Sequence, residues 1–155
     1  MKLRANVLAL SALFFCASGL SAVADEHAAP GGGAGLASLD GNWQLVEIGG
    51  RAAPERVTLA LANGSFSGRG GCNRYFGAAQ AGDAPGALQF GAIGATRMSC
   101  GEAIDGREMT YFAALAEVTR FVLAPAAGAE PARLMLRYGQ SMPMRELVFK
   151  RIPEE

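Results

Sequence analysis

Histidine is almost missing from this chain. Its one copy, His27, lies near the N-terminus in a run of alanine, proline and glycine, where no packed framework can fix its geometry. A Ser-His or Cys-His catalytic pair inside a folded domain is thereby excluded. Charge of a dominant sign is missing too, since 14 basic residues face 14 acidic ones. No basic field exists to hold nucleic acid or anionic lipid, and the scattered arginines read as solvated surface. The glycines at 68, 70 and 71 are followed by no Lys-Ser or Lys-Thr pair, and no Gly-x-Gly-x-x-Gly opens a helix, so a nucleotide site is not expected. There is no internal repeat.

What is present begins with an export pattern. Met1-Lys2-Leu3-Arg4 leads into an apolar segment from Ala5 to Leu20 and then Ala22-Val23-Ala24. A basic start, an apolar stretch of this length and an Ala-x-Ala ending predict a cleaved signal peptide over residues 1–24, with Asp25 as the new N-terminus. The segment is too short for a spanning helix. Cys16 follows Leu13-Phe14-Phe15 and lacks the small preceding residue of a lipidation site. Residues 25–35, rich in alanine, proline and glycine, are expected to form a flexible leader, and residues 36–155 a single domain. The protein is expected to be periplasmic and monomeric, with no membrane span.

Cleavage would remove Cys16 and leave Cys72 and Cys100. An even count in an oxidising compartment favours a disulfide between them. A metal site and a reactive thiol compete with that reading. Metal is the weaker, because two isolated cysteines without a nearby histidine do not complete a tetrahedral shell.

The domain reads as short strands. Trp43 and Leu45 share one face of a strand over 43–48, and Val57 to Leu61 alternates before Asn63-Gly64, the strongest short hairpin signal. The glycines at 68, 70 and 71 suggest a bulge or a close backbone approach in the second strand. Short strands follow at 87–90, 121–123, 133–138 and 145–150, the last two with one apolar and one charged face. A helix is predicted over 106–119. Asp105 and Glu108 would form its capping box, Ile104 and Met109 its hydrophobic staple, and Met109, Phe112, Ala113 and Ala116 its buried stripe. The fold class is therefore mainly β with some α: an antiparallel sheet curled into a small barrel with one covering helix. Trp43, Phe66, Phe90, Leu136 and Phe149 are expected to fill it.

Two stretches stand out, Ser67-Gly68-Arg69-Gly70-Gly71-Cys72-Asn73-Arg74-Tyr75-Phe76-Gly77 and Ala95-Thr96-Arg97-Met98-Ser99-Cys100. With Leu39-x-Gly41-x-Trp43-x-Leu45 before them and a helix and closing strands after them, they resemble the META domain, the family of the heat-shock protein HslJ. Ser99 departs from the alanine common there. The resemblance implies a compact barrel-like β fold with one helix and a role in the bacterial envelope or stress physiology. It implies no reaction.

Asn73, Arg74, Tyr75 and Arg97 are the candidate partner-binding residues, since loops beside a rigid scaffold often carry binding groups. The structural alternative has Asn73 bonding its own backbone in a left-handed turn and Arg97 satisfying nearby carbonyls. Glu102, Asp105 and Glu108 recur every three residues, but helix capping accounts for Asp105 and Glu108 without catalysis. The expectation is a non-enzymatic envelope protein without cofactor that contacts another protein or an unfolded segment. The alternative is a binder of a small apolar ligand inside the barrel.

Overall fold

The computed structural model describes residues 35–54 and 56–153. The signal peptide expected over 1–24, and all of the leader expected over 25–35 except Gly35, lie outside them.

A short 3-10 turn at Leu36–Leu39 precedes strands β1 (Gly41–Ile48), β2 (Arg51–Ala52), β3 (Thr58–Ala62), β4 (Ser65–Arg69), β5 (Arg74–Ala81), β6 (Leu88–Phe90) and β7 (Gly94–Ala95). Helix α1 (Glu102–Ala116) follows, then β8 (Val118–Ala124), β9 (Arg133–Tyr138) and β10 (Arg145–Ile152). The strands run in the order β6-β5-β4-β3-β1-β10-β9-β8, with β2 added to β1 and β7 to β5. Every pairing is antiparallel. The end strands β6 and β8 share no continuous ladder; the seam is crossed by an isolated Ala87–Arg120 bridge, a bond from the Phe121 amide to the Gly86 carbonyl at 2.8 Å and one from the Arg120 guanidinium to the Pro85 carbonyl at 3.0 Å. The sheet is thus a nearly closed barrel with one unsealed seam.

Period-two alternation puts the large apolar residues inside. Trp43, Leu45, Leu59, Phe66, Leu134, Leu136 and Phe149 are each at most 2% exposed, and Phe90 is 7% exposed, its ring edge-on to Phe66 at 4.9 Å. The Trp43 indole donates to the Leu39 carbonyl at 2.8 Å, so the one buried N–H of that ring is satisfied. Asn63 and Gly64 take φ of 50° and 74°, the two positive values that a tight hairpin between β3 and β4 requires.

Two expectations are corrected. Helix α1 starts four residues earlier than predicted and ends at Ala116, while Val118 and Thr119 already belong to β8. Its buried residues are Glu108, Tyr111, Ala114 and Leu115, one position round from the expected stripe, and Met109 is 72% exposed. No capping box forms: Gly101 is the N-cap, and the Asp105 carboxylate reaches back to the Cys100 amide at 3.0 Å and the Ser99 hydroxyl at 2.6 Å. Ile104 and Met109 are both exposed and form no staple. The phase is set by Glu108, whose carboxylate is needed inside, as described below.

The second correction is β5, which the sequence reading passed over. Its Gly77-Ala78-Ala79-Gln80-Ala81 run has low strand propensity. The small residues are there for packing: the Phe66 ring occupies the place where a Cβ on Gly77 would stand. At Gly68 the second strand of the hairpin keeps a regular register, so the close-approach reading holds and the bulge reading does not.

Candidate functional site

The two conspicuous stretches meet at the helix. Strand β4 ends at Arg69, and a tight turn carries Gly70 to Asn73 under α1 before β5 begins. Gly70 is required there, because a Cβ would lie 2.7 Å from the Phe112 ring and 2.8 Å from Glu108 Oε1. The turn presents its amides to Glu108: Oε1 accepts from the Cys72 amide at 3.1 Å and the Asn73 amide at 2.6 Å. Oε2 accepts from Asn73 Nδ2 at 2.6 Å. A carboxylate 5% exposed is thus held by three donors, the condition under which burying its charge is tolerated.

Asn73 carries the second stretch. Its Oδ1 accepts from the Met98 amide at 2.7 Å and from the Thr96 hydroxyl at 2.8 Å, while Nδ2 also donates to the Met98 carbonyl at 3.1 Å. The Arg74 amide donates to Thr96 Oγ1 at 3.2 Å, and the Thr96 amide donates to the Arg74 carbonyl at 3.0 Å. Cys72 and Cys100 close the arrangement as a disulfide with α-carbons 5.8 Å apart. Asp105, on the first turns of α1, has its carboxyl held below the ordinary aspartate range by the Cys100 amide first and the Ser99 hydroxyl second.

Of the four candidate binding residues, the structure separates two from two. Asn73 is 6% and Tyr75 1% exposed, so the expectation that both lie on the surface is corrected. Asn73 bonds another loop and a helix rather than its own backbone, and its φ is not positive. Tyr75 points into the barrel, where its hydroxyl donates to the Thr58 carbonyl at 2.7 Å and meets the Tyr111 hydroxyl at 2.6 Å. Arg74 and Arg97 are exposed. The Arg97 side chain bonds no carbonyl among the described residues, so the structural alternative for it also falls away. Among the described residues no group of three or more histidine, cysteine, aspartate or glutamate side chains is placed to hold a metal ion.

The outward face of β4 and β5 sets Arg74 beside two residues that the sequence did not single out for binding, Arg69 and Phe76. Arg69 and Arg74 stand directly opposite each other across the two strands, and Ser67 stands opposite Phe76. No carboxylate among the described residues pairs with either arginine. Phe76 is 62% exposed, its ring laid over Gly94 of β7. These residues line a shallow groove of about 420 Å3. Alternation around an inward Tyr75 would have placed Arg74 and Phe76 together on the outside, but only had β5 been recognised as a strand.

No helix among the described residues is long and apolar enough to cross a membrane. No curated protein matches the sequence significantly. The fold is similar to the NMR structure of a protein from Burkholderia xenovorans, 25% identical, with a TM-score of 0.63 over 99% of this chain and 100% of that one. Residues 36–150 match the META domain, a span that takes in the Cys72–Cys100 pair, the Asn73 junction and Glu108, and the chain belongs to that family.

Proposed function

We propose that this chain is an exported envelope protein of stress physiology that acts without catalysis, as a monomer, by holding an extended acidic polypeptide segment against the outer face of β4 and β5. The observation that carries the reading is the Arg69–Arg74 pair. Like charges directly opposite on a sheet destabilise it, and here no neighbouring carboxylate among the described residues offsets them. A partner carboxylate would relieve that repulsion and gain bidentate guanidinium contacts. Phe76, largely exposed beside them, supplies the aromatic anchor that polypeptide interfaces favour. The export pattern at residues 1–24 and the disulfide support an oxidising compartment as the place of action.

The test uses a labelled extended peptide of alternating glutamate and leucine and its lysine counterpart, with affinity read by fluorescence anisotropy. The glutamate peptide should bind and the lysine peptide should not. Arg69→Glu with Arg74→Glu should weaken binding at least about tenfold, and Phe76→Ser should weaken it as well, with unchanged melting temperatures. Equal binding by the charge-reversed variant would reject this face. Export is checked by intact mass of periplasmic protein, which should begin at Asp25 and carry no lipid on Cys16.

A further inference from the structure

We propose that a second site, distinct from the β4–β5 face, takes a small single-chain amphiphile with an anionic head, of the fatty-acid kind. Helix α1 crosses one mouth of the barrel. Its Glu108 and Phe112 side meets Gly70 and the Cys72–Asn73 turn, and the side bearing Arg107, Thr110 and Tyr111 leaves a cleft of about 480 Å3 against residues 51–54 and Val57. That volume lies within the range of small-molecule sites, roughly 300–1,000 Å3.

The lining divides by chemistry. Leu45, Val57 and Tyr111, each at most 3% exposed, belong to the barrel core and form an apolar floor, and Ile48 extends it outward. The Tyr111 hydroxyl is committed to Tyr75, so the residue offers the cleft its ring. At the rim stand Arg51, on β2, and Arg107, on α1, both exposed and neither in an ion pair among the described residues. Two guanidiniums above an apolar floor disfavour a cation. A neutral apolar ligand would leave them unused, and a bare inorganic anion would leave the floor unused. A carboxylate or phosphate on an acyl chain uses both parts, because guanidinium matches those oxyanions bidentately while the chain is removed from water. The barrel interior is occupied by Trp43, Phe66 and Phe149, so the ligand enters the mouth and not the centre.

The experiment titrates the purified chain with decanoate, decanol, acetate and decyl phosphate, following backbone amide shifts by NMR. Decanoate should bind and shift the amides of Ile48, Ala53 and Thr110, while acetate and decanol should bind at least about tenfold more weakly. Tighter binding of decyl phosphate would assign the head to a phosphate, and tighter binding of decanoate to a carboxylate; either agrees with the proposal. Arg51→Glu with Arg107→Glu should weaken decanoate at least about tenfold. Thr110→Trp, which fills the cleft and keeps both arginines, should do the same. Decanol binding as well as decanoate, acetate binding as well as decanoate, or no decanoate binding at all would each overturn the proposal. Shifts confined to β4 and β5 would overturn it too, while leaving the peptide-binding reading standing.

Discussion

Asn73 Nδ2 lies 2.6 Å from Glu108 Oε2, and through that contact the two conspicuous stretches and the helix become one unit. The Asn73 amide group uses both its donors and both lone pairs of its oxygen, on Glu108, Met98 and Thr96. Replacing Asn73 by alanine strands a buried carboxylate oxygen and the Met98 amide, and should cost about 3 kcal/mol in denaturant unfolding. Asn73→Asp should cost more, because a second carboxylate would face the first. Glu108→Gln turns a donor toward a donor and should fall near Asn73→Ala. The double variant Asn73→Ala, Glu108→Ala should be less destabilised than the sum of its parts, as coupling requires. Additive losses would show that the two side chains do not act together.

The disulfide and this junction join the same two loops by different means. Cys72 and Cys100 are 28 residues apart, so the bond should contribute about 3–4 kcal/mol by restricting the unfolded chain. Replacing both cysteines by serine should lower stability by about that amount. The Met98 amide should nonetheless stay protected from hydrogen exchange, since Asn73 still accepts from it. Loss of that protection at the rate of global unfolding would mean that the covalent bond alone holds the loops. Peptide mapping without reductant should recover Cys72 joined to Cys100.

Gly68 sits in β4 with no unusual backbone angle, and its requirement is steric. A Cβ there would run into the Thr58 carbonyl of β3 and come within 2.9 Å of the Tyr75 hydroxyl. Gly68→Ala should therefore cost about 2–3 kcal/mol and disturb the Tyr75–Thr58 bond. Gly101, where a Cβ meets open space, should owe its cost only to its positive φ of 99°.

Strands whose two faces differ in chemistry were legible. Arg133–Tyr138 keeps Leu134, Leu136 and Tyr138 on one face and Arg133 and Arg137, with Met135 between them, on the other, and Asn63-Gly64 announces its hairpin because such a pair tolerates the two positive φ values of the turn. Strand β5 was not, because beyond Tyr75 its inner positions are small, Gly77 where the Phe66 ring needs room and then Ala79, and small residues carry no period. The helix phase was hidden for a related reason. Hydrophobic periodicity places Glu108 outside, whereas the unpaired amides of the Cys72–Asn73 turn, remote in sequence, draw it in. With Glu108 inside, Tyr111 and Leu115 follow on the same face and Met109 turns to solvent. Propensity describes neighbours along the chain, and the Asn73 junction is made by residues 35 apart.

The Tyr75–Tyr111 pair gives the fold a definite response to alkali. The Tyr75 hydroxyl has one hydrogen, given to the Thr58 carbonyl at 2.7 Å, so Tyr111 donates across the 2.6 Å contact between the two phenols. Burial raises the Tyr75 phenol far above its ordinary value, with the Tyr111 bond a smaller opposing effect. Burial raises Tyr111 likewise, and the neighbouring Tyr75 adds to it. Both groups therefore hold their protons more tightly in the fold than in the unfolded chain. The stabilisation from these raised values is whole below the ordinary tyrosine range near about 10 and is lost as pH rises above it, because the unfolded chain releases its protons first. Carbon NMR of tyrosine labelled at Cζ should show Tyr75 and Tyr111 un-ionised for as long as the far-ultraviolet dichroism is native, and their phenolate signals should emerge together with unfolding. Tyr75→Phe leaves the Thr58 carbonyl and Tyr111 hydroxyl without their shared partner and should cost about 1–3 kcal/mol. Tyr111→Phe removes only the outer donor and should cost about 1 kcal/mol. Phenolate signals from both residues in a chain that keeps its native dichroism would show that solvent reaches the pair, and the order of donation described here would be wrong.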